Sequence, residues 1–411
     1  MYDDHSVIII GGGISGLTCA KYLNDRGKTF MLLEASETLG GRVKTEIVDG
    51  FRLDVGFQVL LTNYPETKKI LHYEDLDLQK FDSGAIIRIN NKFVRMDNPL
   101  RKPSALLATA FAPIGSWSDK MKILKFTQRL NRLSDDAIFQ EKAMSTMQYI
   151  KEYGWSDVMI DRFFRPFFGG VFLENELKTS SAFFLFVFKQ FFKGDVAIPA
   201  MGIQAIPDQI EEMLPAKYIR KGTAVKGVEG NEVFLENGQV LRGEKIVLAT
   251  DAVVADRFLM QENNPIFNTT TCTYYSAEYP PVKDKMLLLN PDRKAEAQNV
   301  AVISNIVPQS APKGKSLVVV NTSGLERYDE KTHQFRVKRD LQNWFGSQVN
   351  VWRHLKTYHI PQALPTYLAE SQPRRLKLTE RLYRCGDYLA YPSLNAAMKT
   401  GREVAESIME G

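Results

Sequence analysis

The chain has little cysteine: three in 411 residues, Cys19, Cys272 and Cys385. Three thiols cannot form a disulfide framework, which sets aside the small secreted scaffolds and favours a reducing compartment, expected to be the cytoplasm. Long apolar runs are missing too. None reaches the roughly 18 residues that cross a bilayer as a helix, which leaves peripheral membrane contact as the expected limit. An excess of one charge is also absent: 53 Lys and Arg against 48 Asp and Glu give +5. That balance gives little reason to expect a nucleic-acid partner. An apolar strand starts so early that no cleavable leader is expected before it. Internal repeats and low-complexity tracts are absent. What remains, 44% hydrophobic and 25% charged, suits a globular protein of two domains.

Against these absences stands one dense stretch, Ser6–Arg42. Val7-Ile8-Ile9-Ile10 predicts a buried strand. It runs into Gly11-Gly12-Gly13-Ile14-Ser15-Gly16, which has the G-x-G-x-x-G spacing. Ile14, Leu17, Ala20 and Leu23 then predict one face of a helix that stops near Gly27. A second strand, Thr29–Leu33, delivers Glu34. Gly11 permits a tight turn, Gly13 lets backbone amides reach a pyrophosphate, and Gly16 allows close helix–sheet packing. The helix N-terminus stabilises phosphate charge, and Glu34 accepts ribose hydroxyls. Strand, turn, helix, strand and acid in this order read as an adenine-dinucleotide site. The acid argues against a 2′-phosphorylated ribose. A glycine turn kept for structure alone is the plainer alternative, and the combined context outweighs it.

The segment continues Glu34-Ala35-Ser36-Glu37-Thr38-Leu39-Gly40-Gly41-Arg42, bringing more backbone and a guanidinium toward the same pyrophosphate. Further along come Leu53-Asp54-Val55-Gly56-Phe57-Gln58, Ile198–Gly202, Ile246–Asp251, and Leu382–Asp387 followed by Pro392–Met398. Together they resemble the flavin-containing amine oxidase superfamily, which includes the phytoene desaturases and protoporphyrinogen oxidases. The resemblance covers nearly the whole chain and is most specific at its two ends. It implies an α/β fold: a two-domain, FAD-binding Rossmann-type (glutathione-reductase-like) architecture with an α+β substrate domain. It also implies noncovalent FAD, since Cys385 sits one strand early for covalent attachment.

Carried over residue by residue, the resemblance assigns cofactor binding to Gly11, Gly13, Ile14, Ser15, Gly16, Glu34, Ala35, Gly41 and Arg42. Gly56, Phe57 and Gln58 would pass close to the flavin, Val225 would meet adenine, and Ala249 would close the strand end. Gly386 and Asp387 would hold the ribityl chain. Ser393, Leu394, Asn395 and Ala397 would turn a helix N-terminus toward the pyrimidine side of the ring, which gains negative charge on reduction. An ordinary helix-approach carboxylate is the plainer reading of Asp387. Ala200 and Asp251 stand where the family has glycine.

The FAD-binding domain is expected from residues 1–75, 196–256 and 376–411, and the substrate domain from 76–195 and 257–375. Gly222–Val228 and Glu232–Leu235 predict a hairpin, with a turn at Asn237-Gly238 leading into another strand. Phe163–Phe172 and Phe183–Phe192 are dense in phenylalanine, readable as the lining of an apolar tunnel, as a buried helix pair, or as a membrane or partner surface. Ser118–Leu133 interleaves Lys and Arg with apolar residues, which fits either a bilayer-surface helix or a solvated helix over a core. Before it, Pro99, Pro103 and Pro113 interrupt the apolar run at Leu106, Leu107 and Phe111.

Amine oxidases of this group place a lysine on a substrate-domain strand near the flavin. The equivalent stretch here, Thr271–Ser276, has none; Lys283 and Lys285 lie beyond it. Tyr358 and His359 fall in a run resembling the segment that approaches the flavin. Tyr358 would flank a substrate and His359 would move a proton, or be a structural histidine in a proline-shaped loop. The expected function is FAD-dependent dehydrogenation of a lipophilic or amphipathic small molecule, with an unidentified electron acceptor. The alternatives are a redox-neutral flavin isomerase, an amine oxidase proper, and a nonenzymatic FAD-binding protein.

Overall fold

Val7 to Ile10 are buried without alternation, as a strand covered on both faces requires. The computed structural model describes residues 4–97, 112–325, 328–372 and 374–410. In it Asp4–Ile10 is central to a seven-stranded sheet, parallel to Phe30–Leu33 on one side and to Val240–Leu248 on the other. Ile219–Arg220 extends the sheet beyond Phe30–Leu33. The hairpin of Val225–Glu229 and Glu232–Leu235 extends the opposite side. The runs at Gln239 and at Ile246, read separately in the sequence, form one nine-residue strand, Val240–Leu248. Its first half pairs antiparallel with Glu232–Leu235 and its last third pairs parallel with Leu382–Arg384. Burial alternates in the first half and is continuous in the second, which is why the two parts look unrelated.

Two helices stack on this sheet, Ile14–Asp25 and Leu394–Glu410. They cross at very short range. A Cβ on Gly401 would overlap the carbonyl oxygen of Ser15, and one on Gly16 would overlap that of Gly11. Glycine stands at both close approaches, one between the helices and one between the first helix and its preceding turn, because only hydrogen fits.

A second seven-stranded sheet runs in the order Arg353–Pro365, Phe267–Ala277, Ser316–Ser323, Asn299–Val302, Leu287–Leu289, Gly84–Ile89, Lys92–Asp97. It is mostly antiparallel, with Leu287–Leu289 parallel to Gly84–Ile89. Smaller sheets link the two layers: Thr45–Val48 with Phe51–Asp54, and Val196–Pro199 between Leu60–Leu61 and Leu78–Lys80.

The phenylalanine-rich helix Ser181–Lys193 is core. Phe183, Phe184, Phe186 and Phe188 are all buried. The basic helix Trp117–Arg132 lays Phe126 against Phe184 and Phe188, at ring distances of 6.0 and 4.8 Å. Its outer face leaves Trp117 and Met121 exposed. Pro99, Pro103, Leu106, Leu107 and Phe111 lie outside the described residues.

Helix Glu330–Phe345 covers the outer face of the second sheet and buries His333, whose Nε2 lies 3.3 Å from Thr273 Oγ1. Burial, with the charges of His359 and His354, pulls its pKa from 6.5 down to about 4.

Two outcomes follow from this packing. Gly401→Ala is expected to cost on the order of 1–3 kcal/mol through overpacking, read as a fall in the denaturation midpoint. The histidine has a defined sign. Below pH 6.5 the unfolded chain takes up a proton that folded His333 refuses until about pH 4. Stability therefore falls as pH drops through that window. The slope of Tm against pH between those limits is expected to be shallower in His333→Gln; an unchanged slope would assign the loss to another group.

Candidate cofactor and substrate site

The glycine turn and the Gly-Gly-Arg loop are joined directly. Gly12 O accepts from Gly40 N at 2.8 Å, and Gly13 and Gly40 form an isolated parallel bridge. Gly11 takes φ +109°, and its missing Cβ leaves room for Ala249 O, 2.7 Å from where that atom would sit. Ala249 is therefore the floor of the turn. Glu34 is anchored on the turn: Oε2 accepts from Gly12 N at 2.7 Å, while Oε1 accepts from Ser36 N and Oγ, both at 2.9 Å.

Gly13 answers whether these residues fit a dinucleotide. A Cβ there would meet nothing within 4 Å, and its φ of −71° suits any residue. Neither sterics within the chain nor backbone strain explains glycine at 13. A pyrophosphate lying against the N-terminus of Ile14–Asp25 does. Ala35 and Gly41 are exposed along the same lane. Thr223, two residues before Val225, donates its N–H to the Glu34 carbonyl at 2.8 Å.

The opposite wall comes from the chain's end. Asp387 Oδ1 accepts from Arg42 at 2.5 Å, and Arg42 also donates to Ala363 O at 3.1 Å. Burial works against the guanidinium charge, but Asp387 more than offsets it and the Arg42 pKa rises. Gly386, at φ +155°, precedes Asp387 and donates to Thr400 Oγ1 at 3.0 Å. Ser393 Oγ accepts from Ala396 N and its carbonyl from Ala397 N, starting Leu394–Glu410.

Three expected cofactor residues do other work with their side chains. Asn395 spends both amide atoms on protein, accepting from Glu66 N at 3.0 Å and donating to Tyr391 Oη at 2.9 Å. Gln58 Nε2 donates to the carbonyls of Arg42 and Val55, bracing the loop. Ser15 is buried against the Cys385 thiol, which burial pushes up to about 12. Asp251, where the family has glycine, caps Ala252–Phe258 by accepting from Val253 and Val254.

Strand alternation decides the substrate side. Tyr358 lies on the face of the second sheet that looks toward Leu53 and Phe57, and donates to Glu46 at 2.9 Å. Burial, then Glu46, raises its pKa far above the ordinary phenol value. His359 falls on the other face, beside His333, so it cannot move protons at the flavin-approach segment. Ile360 returns to the inner face, its Cδ1 2.9 Å from where a Gly56 Cβ would be. Phe57 packs edge-on against Phe81 at 6.3 Å. Two inner-face residues escaped the sequence reading. Tyr274 donates to the Asp54 carbonyl at 2.9 Å, and Lys356, paired across strands with Tyr274, is held by Glu46 at 2.6 Å. No local pattern marks either; strand pairing places them.

This is a two-domain, dinucleotide-binding α/β architecture with a flavin-type C-terminal motif. Residues 14–409 match the family model for flavin containing amine oxidoreductases, and the chain belongs to that family. The family is flavin-containing, and the dinucleotide lane fits FAD as its cofactor. It is 54% identical over 50 residues to carotenoid 3,4-desaturase of Haloarcula japonica, covering 12% of this chain and 10% of the relative. It is 23% identical over 281 residues to 15-cis-phytoene desaturase of Glycine max, covering 63% and 49%. The chain thus spans about half or less of these relatives' lengths. A putrescine oxidase structure bound to putrescine superposes over all of both chains with a TM-score of 0.74 at 14% identity, a likeness of fold.

Glu34→Ala is expected to weaken FAD binding by about 2–3 kcal/mol, roughly 30- to 150-fold in Kd, by flavin fluorescence titration. Arg42→Ala is expected to weaken it too, and to strand the buried Asp387 carboxylate. Unchanged FAD affinity in both variants would remove the cofactor from this lane.

Proposed function

We propose that the protein is an FAD-dependent oxidoreductase that dehydrogenates an apolar or amphipathic small molecule. One observation carries this reading: the character of the sheet face over Gly56 and Phe57. It presents Cys272, Tyr274, Val319 and Ile360, and its lysine, Lys356, is tied to Glu46. Burial raises the Cys272 thiol to about 12 and the Tyr274 phenol well above its ordinary value, so both stay neutral at pH 7. Of the carboxyl groups beside this face, Glu46 is engaged by Lys356 and Tyr358, and Asp54 Oδ1 accepts from Thr45 and from Ile203 N.

Bound FAD supplies a two-electron acceptor for a hydride equivalent from a substrate carbon. The chain's own residues position that carbon and exclude water. Tyr274 and Tyr358, with ring centroids 6.0 Å apart, make a rigid edge-on wall. Ile360 closes it against Gly56. The desaturases among the relatives support this polarity of substrate. The exposed Trp117 and Met121, beside basic residues, support delivery from a bilayer surface.

Anaerobic mixing tests the proposal. A lipophilic polyene in anionic liposomes is expected to bleach the flavin, faster than in neutral liposomes and with the excess lost at high salt. Benzylamine, putrescine and free amino acids are expected to leave it oxidised. Rapid bleaching by an amine would make the protein an amine oxidase. A product with unchanged hydrogen count would make it an isomerase.

A further inference from the structure

The segment 55–58 leaves the strand Phe51–Asp54 at Asp54 and passes beneath Ile360 at Gly56, which takes φ +95°. Asp54 is tied down on three sides. Across the hairpin, Thr45 Oγ1 donates to Asp54 Oδ1 at 2.6 Å. The same oxygen accepts from Ile203 N at 3.0 Å, while Thr45 Oγ1 accepts from Gln204 N at 3.0 Å. On the sheet side, the Asp54 carbonyl accepts from Tyr274 Oη.

The turn at 203–204 opens the helix Ala205–Glu212, which has no side-chain cap of its own. Its two leading amides are held by the hairpin instead. That helix in turn braces the Gly-Gly-Arg loop, since Gln204 Nε2 donates to Leu39 O at 3.0 Å. The contact is close: Gly202 takes φ +89°, and a Cβ there would overlap the Thr45 side chain and lie 3.0 Å from Asp54 Oδ1. Asp54 therefore joins the cofactor side, the hairpin and the substrate-side sheet at the start of the segment that runs between them.

None of this geometry requires a charge. An amide oxygen would accept the same two bonds without the desolvation that a carboxylate suffers. Burial raises the Asp54 carboxyl from 3.8 to about 6, although the Thr45 and Ile203 bonds favour its charged form. Around it, Cys272, Tyr274 and Tyr358 on the second sheet are kept neutral at pH 7 by burial. On the hairpin, Glu46 pairs with Lys44 and Lys356, and Arg52, on the same face as Asp54, makes no ion pair with it. On the turn side, Asp208 accepts from Gln204 Nε2. Among the described residues no cation offsets the Asp54 charge. What the charge adds is strength, since hydrogen bonds accepted by a carboxylate are about twice as strong as neutral ones.

We propose that Asp54 is a positioning residue: its charged carboxylate clamps the hairpin to the turn at 203–204 and so fixes the segment 55–58 where substrate meets flavin. It acts through that segment rather than on the reacting atoms. This rests on the dehydrogenase reading for the reaction that the placement serves. Protonation weakens the clamp about twofold and frees the segment to shift. A misplacement of about 1 Å at a reacting centre costs about 100-fold in rate, and a partial loosening costs less.

The test uses the FAD-loaded protein. Without substrate, its flavin absorbance is expected to step once with pH, at a midpoint near 6. With farnesene, a lipophilic polyene, in anionic liposomes, the anaerobic reduction rate is expected to fall about tenfold as pH drops through that step. Asp54→Asn is expected to retain FAD, lose the step and reduce at the parent's low-pH rate throughout. Should that variant lose FAD, Thr45→Val decides: without one donor to the charged form, the midpoint moves up by about one unit. A step absent from the parent, or unmoved in the variants, overturns the role of Asp54. So does a reduction rate that ignores the step. A flavin that farnesene never reduces, with the step and its shift intact, supports the clamp and counts against the dehydrogenase reading beneath it.

Discussion

Backbone approaching backbone around one helix is the constraint on which the cofactor side depends. Ile14–Asp25 is pressed by the turn at Gly11 and crossed by Leu394–Glu410 at Gly401, with no side chain between. Those two contacts bring the start and the end of the chain into one lane. Gly13 faces the open side of that lane, and Glu34 stands ready because its carboxylate is already fixed by Gly12 and Ser36. A preorganised acceptor loses little further freedom when a ribose arrives.

The Arg42–Asp387 pair is the electrostatic counterpart of that packing. It joins residues 345 positions apart, and Arg42 also reaches Ala363 at the end of the long strand Arg353–Pro365. One guanidinium therefore ties the phosphate-side loop that carries it to the C-terminal motif and to the substrate-side sheet. Asp387 is nearly enclosed, and Arg42 is its ion-pair partner. Cofactor binding and the seating of the second sheet are mechanically linked through this contact.

The second sheet sorts its residues by parity. Inner positions bear Tyr274, Tyr358 and Ile360; outer positions bear His333's partners, Thr273 and His359. Adjacent residues such as Tyr358 and His359 therefore have unrelated environments, one held by a carboxylate above the flavin-approach segment, the other beneath a surface helix. The phenylalanine-rich helix Ser181–Lys193 joins the core to the C-terminal motif, where Tyr391 stacks on Phe139 at 4.5 Å and meets Phe186 at 5.1 Å.

The dinucleotide site was legible in the sequence because its determinants are local. Strand, glycine turn, helix and acid lie within Ser6–Arg42, and each spacing is set by backbone geometry over a few residues. The C-terminal motif was legible for the same reason. The side-chain duties of Asn395, Gln58 and Ser15 were not, because their partners Glu66, Arg42 and Cys385 arrive from elsewhere in the chain. Nor was the union of Gln239–Leu241 and Ile246–Leu248 in one strand, since its halves have different neighbours. By itself, then, the sequence determined the cofactor lane and the family. Tertiary structure decided which face each strand residue takes and that Lys356 is spent on Glu46. Those outcomes depend on register between distant strands, and a one-residue slip would reverse every one of them.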